Sequence, residues 1–387
     1  MVSVLILVLF LWVALLFLDR GEFEKRGIER GLIYLIFRSK KGLVAIDREA
    51  KKRERFLRRL GSFAVLISVP LIVLSFVSLF FNARHILRTP EPVPGIAPLL
   101  PEGVMDIPGA PSIPLAYWLL SIIVILVFHE LMHGLLARVE GIPLKSLGIF
   151  AVTFIPLGAF VEPDDEVLEK KSSMSKLRVY AAGSMGNFIA ALLSGLLLAA
   201  VLFVAAPLAF QDAGIVIYNV TSGSPAERAG ISTNLTLLGI GDVDIKNVED
   251  FRNAVILLRP GVPVSLRTGE GDFAVVPDER EGFKNGFIGI AVLPRLEARP
   301  FVTGLVGEER AFALYRVISE ALYWVAALNL LVGLTNLLPI IPLDGGRMVA
   351  VFMEVAVPKA ARGVTTFIYL VLLILVFINM GPLFGLF

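Results

Sequence analysis

The run from Leu115 to Val139 is apolar along nearly its whole length, so its first requirement is removal from water. Coiled as one helix, it is long enough to cross the roughly 30 Å hydrocarbon core of a bilayer. Comparable runs stand at Val2–Leu18, Ser62–Phe81, Leu177–Phe210, Ala313–Pro339 and Val364–Phe387. Such runs leave few folds open, because in lipid every backbone polar group must find its partner within the protein, which selects helices. Composition agrees: 56% of the 387 residues are hydrophobic, 18% are charged, and the mean hydropathy is +0.79. The expected class is a polytopic α-helical membrane protein with about six transmembrane helices. A signal peptide is a poor reading of Val2–Leu18, since no basic residue precedes it and no small-residue cleavage site follows.

Charge sets the topology. Arg20–Arg59 is densely basic with acids interleaved, and such loops stay in the cytoplasm. The N-terminus is then outside, Ser62–Phe81 returns outward, and the proline-rich Asn82–Pro114 is external. Leu115–Val139 runs inward, and Lys170, Lys171, Lys176 and Arg178 bring basic residues back. Between them, Leu144–Asp165 is apolar but broken by Gly148, Pro156, Gly158 and Pro163. It reads as re-entrant or extended chain, tolerable at membrane depth only under a protein cover. Leu177–Phe210 opens with the small residues AAGSMGN, which permit close helix packing. From Gln211 to Leu293 the pattern changes to short alternating runs (GIVIYNV, PVSLRT, FAVVP, FIGIAV) around one amphipathic helix, VEDFRNAVILL. That is a soluble, mostly β module, placed outside by the alternating count. Net charge is only +2, so a nucleic-acid partner is not expected.

Three histidines are present, His85, His129 and His133, and two of them lie in one membrane-length run as His129-Glu130-Leu-Met-His133. His85, beside Arg84 and Arg88 in the outer loop, reads as a surface residue. On a helix, positions i and i+4 share a face, so both imidazoles reach one metal ion, and Glu130 projects beside them to act on a water rather than to bind the metal. Burying three ionisable groups at this depth is costly, which marks them as functional. Cysteine is absent, so further ligands must offer nitrogen or oxygen. A catalytic zinc takes three protein ligands, leaving one to find. His129 lies about fourteen residues into its span, or roughly 21 Å, in the inner part of the bilayer. Asp344 follows the inward-running fifth run on a segment broken by Pro339, Pro342, Gly345 and Gly346, near the same depth. Glu320, the other acid in a late run, falls near the outer end.

HELMH in a span, followed much later by Asn336-Leu-Leu-Pro339-Ile-Ile-Pro342-Leu-Asp344-Gly345-Gly346, resembles the site-2 proteases of the prokaryotic type. GAFVEPDD (Gly158–Asp165) resembles that family's membrane-embedded β-loop, and Gly183-Ser-Met-Gly-Asn187 its G-x-x-x-N motif. Gly223–Ile231 (GSPAERAGI) and Gly239–Asp242 (GIGD) resemble an inserted PDZ domain, of α+β class. The resemblance implies one Zn²⁺ per chain held by His129, His133 and Asp344, with Glu130 as catalytic acid/base. It also implies that Asn187 and Asn336 position substrate or stabilise the oxyanion. The substrate would be a transmembrane protein, already cut once by another protease, since a helix must unwind before cleavage. Gly158, Ala159, Phe160 and Val161 would capture it as an added strand. The chain then divides into an N-terminal extension with two spans (1–114), a first catalytic half (115–210), a PDZ-like domain (211–293) that filters substrates by size, and a second catalytic half (294–387). The protein would be a multi-pass cell-membrane protein with its PDZ-like domain extracytoplasmic and its active site toward the cytoplasmic side. Two other readings stand beside it: a membrane metalloprotease of another family with a glutamate as third ligand, and a non-catalytic, zinc-binding adaptor or transporter. The PLDGG segment disfavours the first and the intact Glu130 the second.

Overall fold

A computed structural model describes residues 28–31, 34–104, 112–152, 155–280 and 285–386. The expected span Val2–Leu18 lies outside the described residues. Five helices are long and apolar enough to cross a membrane: Glu54–Ile86, Leu115–Val139, Ser173–Ala209, Glu308–Thr335 and Ala361–Phe384. The chain forms two units, one comprising residues up to 198 and from 320 onward, the other residues 199–319.

The basic stretch is not featureless. Strands β1 (Ile28–Arg30) and β2 (Tyr34–Ser39) form an antiparallel pair, followed by the amphipathic helix α1 (Leu43–Lys52). Helix α2 (Glu54–Ile86) has 33 residues, or roughly 50 Å, longer than the hydrocarbon core is thick. Its first turns therefore carry Arg55, Arg58 and Arg59 beyond the apolar part. Helix α3 (Leu115–Val139) has the expected bounds. The interrupted segment is a hairpin of β3 (Leu144–Val152) and β4 (Ile155–Pro163), pairing Leu147 with Val161 and Ile149 with Ala159. β2 pairs antiparallel with β3, Tyr34 against Val152 through Ser39 against Leu147. The sheet order is β1-β2-β3-β4, so β4 is an edge strand.

Helix α4 (Ser173–Ala200) packs its Ala181–Asn187 stretch wholly inside. Gly186 lets it lie against α3, because a Cβ there would fall 2.8 Å from the carbonyl carbon of Phe128. Leu136, Ala137, Ala181, Ala182, Leu337 and Met348, all fully buried, form the core of this unit. After α4 the helix widens to a π-turn at Val201–Ala205 before the short helix Ala206–Ala209. Pro207, which lacks an N–H, sits in that next turn.

The second unit contains β5 (Phe210–Val220), β6 (Thr236–Ile240), β7 (Val243–Asp244), helix α5 (Val248–Ile256), β8 (Val264–Thr268), β9 (Gly271–Val275) and β10 (Ile290–Ala298). The sheet runs β10-β5-β6-β8-β9, with β7 on β6. Its core takes alternate residues, Ile215 and Ile217 of β5 with Leu237 and Leu266, all fully buried, and Ala254 of α5 packs on them. Ser224 caps the short helix Pro225–Arg228, its Oγ accepting from the Glu227 N–H at 3.3 Å.

Helix α6 (Glu308–Thr335) returns to the first unit and stops before Asn336. Helix α7 (Asp344–Ala356) and the spanning helix α8 (Ala361–Met380) complete the chain. The link between α6 and α7 folds tightly over the start of α7. The Gly345 N–H donates to the Asn336 carbonyl at 2.8 Å, and a Cβ on Gly345 would stand 2.7 Å from the Leu338 carbonyl oxygen. The two glycines after Asp344 are what let backbone cross backbone here.

Candidate metal centre

Each side of the site is built differently. On α3, one helical turn separates His129 from His133 and points both rings the same way. The folded link delivers Asp344 as the first residue of α7, where a carboxylate is favoured by the helix dipole. The three meet: His129 Nε2 and His133 Nε2 are 3.1 Å apart, and Asp344 Oδ2 lies 3.5 Å and 3.2 Å from them. Ligands at about 2.05 Å from a tetrahedral zinc would be about 3.3 Å from one another. Asp344 Oδ2 is buried and has no hydrogen-bond partner, as an atom meant for a cation would be. The residues present therefore fit a metal ion.

The surroundings suit that donor set. His133 Nδ1 lies 2.7 Å from the Val179 carbonyl, which calls for a proton on Nδ1 and leaves the Nε2 lone pair free. His129 Nδ1 is 3.2 Å from Asn187 Nδ2, while the buried Oδ1 of the same amide has no hydrogen-bond partner. Gly183 makes room for both rings: a Cβ there would stand 2.6 Å from His129 Nε2 and closer still to His133 Nε2.

A cavity of about 270 Å³ opens onto these residues. His129, Glu130, His133, Phe160, Val161, Asn336, Asp344 and Arg347 are among its walls, with Tyr180. Glu130 accepts a hydrogen bond from the Val161 N–H at 2.8 Å. Because Val161 gives that N–H to Glu130, it points away from β3, and by strand alternation Ala159 does too. Gly158 and Ala159 continue β4 from there toward its turn. Asn187, fully buried, stands behind His129, not at the cavity wall, whereas Asn336 lines it.

Several neighbours were not singled out from the sequence. Arg347 lies one turn beyond Asp344, a spacing that could have drawn notice. Phe160 lies across Gly148, where a Cβ would strike its ring, and Arg38 of β2 reaches 5.8 Å from the centroid of that ring and 3.6 Å from Glu162. The C-terminal end of α3 is held by the N-terminal extension: Arg58 donates to the Val139 carbonyl at 3.0 Å, Arg138 pairs with Asp47, and Arg178 bonds both Glu140 (3.1 Å) and Ser62 (3.0 Å).

The family model "Peptidase family M50" matches residues 117–378. An uncharacterised protein of Methanocaldococcus jannaschii is 25% identical over 361 residues, covering 93% of this chain and 87% of that protein. Zinc metalloprotease RasP of Oceanobacillus iheyensis is 25% identical over 268 residues, 56% of this chain and 61% of RasP. The membrane-bound transcription factor site-2 protease homolog of Arabidopsis thaliana is 36% identical over 75 residues, 19% of this chain and 14% of that protein. A membrane-spanning chain with a two-histidine, one-aspartate cluster, matched by this family model over most of its length, belongs to peptidase family M50, the site-2 protease family of zinc metalloproteases.

Proposed function

We propose that the protein is an intramembrane endopeptidase that hydrolyses peptide bonds within membrane-spanning segments of its substrates. The observation that carries this reading is the convergence of His129, His133 and Asp344 beside Glu130 in one cavity, on helices of membrane length. His129, His133 and Asp344 would hold a single Zn²⁺, which when bound polarises the scissile carbonyl and acidifies water. Glu130 takes the proton of the attacking water as its oxygen bonds to the carbonyl carbon, then delivers it to the amine nitrogen as the C–N bond breaks. Asn187 orients His129: the amide turned end for end brings the otherwise unpartnered Oδ1 to Nδ1, where it accepts that proton and leaves Nε2 as the donor to metal. Asn336 faces the substrate.

A transmembrane helix hides its carbonyls in its own hydrogen bonds and must be opened before it is cut. The edge of β4 offers the N–H and carbonyl of Ala159 and the carbonyl of Val161, whose N–H is held by Glu130, to an extended peptide, with Gly158 and Phe160 alternating between them. The residue 211–293 segment is read as a PDZ-like domain on the outer face, screening substrates that still carry a bulky outer domain, so that a prior cut precedes this one. Its capped Pro225–Arg228 turn and the positive φ of Gly223 and Gly230 are compatible with that reading. The active site then lies toward the cytoplasmic side of the cell membrane.

The test is direct. The full chain is purified in detergent, zinc is measured by elemental analysis, and cleavage of a single-span substrate is followed with and without chelator. Chelator-sensitive cleavage that Glu130→Gln abolishes while keeping its zinc is the expected result. Cleavage by Glu130→Gln at the wild-type rate would remove the proposed base.

A further inference from the structure

Arg347 is the one cation among the residues that line the cavity. It follows Asp344 by three positions on α7, so the two side chains share a face. Its guanidinium carbon lies 5.7 Å over the ring of Tyr180, another wall residue. Stacking on a ring limits where a long side chain can point, which lowers the entropy lost when it engages a ligand. Yet among the described residues no carboxylate lies within 4.0 Å of it, although Asp344 and Glu130 line the same cavity. Arginines around the C-terminal end of α3 behave otherwise: Arg58, Arg138 and Arg178 all have acidic partners. A cation held on an aromatic face, without a carboxylate partner, on the wall of the proposed site for peptide hydrolysis is available to a negative charge that arises only during reaction.

The charge that arises is on the scissile carbonyl oxygen, once water has added to its carbon. Asn187 stands behind His129, away from the walls, so it does not face that oxygen. We propose that Arg347, with Asn336, stabilises the carbonyl oxyanion and is thus a further catalytic residue of this site. This rests on the endopeptidase reading above. The step consumes nothing: the guanidinium keeps its protons and donates hydrogen bonds while the carbonyl electrons move onto oxygen and return as the amine leaves. An interaction made only with the developing charge lowers kcat and leaves KM nearly untouched.

The experiment compares full-length wild type, Arg347→Ala, Arg347→Gln and Glu130→Gln in detergent. Zinc per chain, kcat and KM on a single-span substrate, and affinity for a phosphinic peptide that mimics the tetrahedral carbon are measured on each. Expected are unchanged zinc in the Arg347 variants and a fall in kcat of about 100-fold, the usual effect of losing one such donor. KM should hold within about twofold, and phosphinic-peptide affinity should fall in parallel with kcat. Added guanidinium ion should restore part of the activity of Arg347→Ala and none of Glu130→Gln. Arg347→Gln keeps much of the stem on Tyr180 and carries the comparison where the alanine variant fails to fold. Wild-type kcat in either variant, a change confined to KM, loss of zinc from both, or unaltered phosphinic-peptide binding would overturn the proposal. A wild type that binds zinc and the phosphinic peptide but shows no chelator-sensitive cleavage would instead count against the endopeptidase reading, and the binding arm would still decide the role of Arg347.

Discussion

The two halves of the candidate metal centre reach the same point by opposite means. α3 is regular: its period alone puts His129, Glu130 and His133 together, and its neighbours need only stay small, as Gly183 and Gly186 do. The other half is a broken segment, where Asn336–Leu343 folds across the start of α7 and Gly345 closes the turn by bonding Asn336. A side chain placed by helical period is robust to change along the helix. A side chain placed by a backbone crossing depends on residues that never touch the metal.

The strongest way to break this comparison is to remove one ligand from each half. His129→Ala and Asp344→Ala each leave two protein ligands where a catalytic zinc uses three. Both should lower zinc from about one per chain to a small fraction, read by elemental analysis, with cleavage lost in proportion. Zinc retained by Asp344→Ala would mean that the helical half suffices and that the broken segment serves some other end.

Next in size are the glycines. Gly183→Ala places a methyl 2.6 Å from His129 Nε2, and Gly345→Ala places one 2.7 Å from the Leu338 carbonyl oxygen. Each should cost about 1–3 kcal/mol by overpacking and lower zinc affinity by roughly 10–100-fold through displaced ligands. Gly195→Ala, later on the same helix as Gly183, meets nothing within 4 Å and should leave both quantities unchanged. If Gly345→Ala behaved like Gly195→Ala, the backbone crossing would not be what fixes Asp344.

How far each half could be read from sequence follows the same division. The bounds of α3, the shared face of its histidines and the alternation of β5 are local patterns, and local patterns are legible. Asp344 was found through motif and depth, but its crossing geometry was not, because a turn made by two prolines and two glycines has no period. The start of α2 at Glu54 went unread since hydropathy marks only the lipid-facing part of a helix that also carries arginines. β1 and β2 were hidden for another reason. Tyr34 pairs with Val152 far along the chain, and YLIFRS inside a basic stretch shows no alternation strong enough to announce a strand. Arg347 was within reach by its spacing from Asp344, yet its place over Tyr180 depends on how α4 and α7 pack.

A smaller effect sharpens the reading of β4. Ala159 shares the parity of Val161, so its N–H faces the free edge and not the β3 ladder. Ala159→Pro removes that donor. If substrate adds to this edge, KM should rise about tenfold at most, the worth of one net hydrogen bond, with zinc unaltered. An unchanged KM would leave β4 as a wall and not a docking strand.

The smallest effect belongs to the N-terminal extension, which lies outside the residues 117–378 matched by the family model. Arg38, Gly148 and Phe160 stand in one row across β2, β3 and β4. The Phe160 ring lies over Gly148, and Arg38 meets the ring at 5.8 Å and pairs with Glu162 beside it, as well as with Glu29. Arg38→Ala therefore frees a cavity wall without touching a ligand. Its side chain is 41% exposed, and an ion pair so open to solvent holds only weakly. kcat/KM should fall by no more than roughly twofold while zinc content and the Glu130→Gln phenotype stay as they are. A fall far larger than that would mean the β1–β2 pair does more than steady Phe160, and that the sheet loses β4 when its outer strands loosen. No fall at all would mean that β3 alone holds the edge strand, and that the extension acts only where Arg58 and Asp47 grip the end of α3.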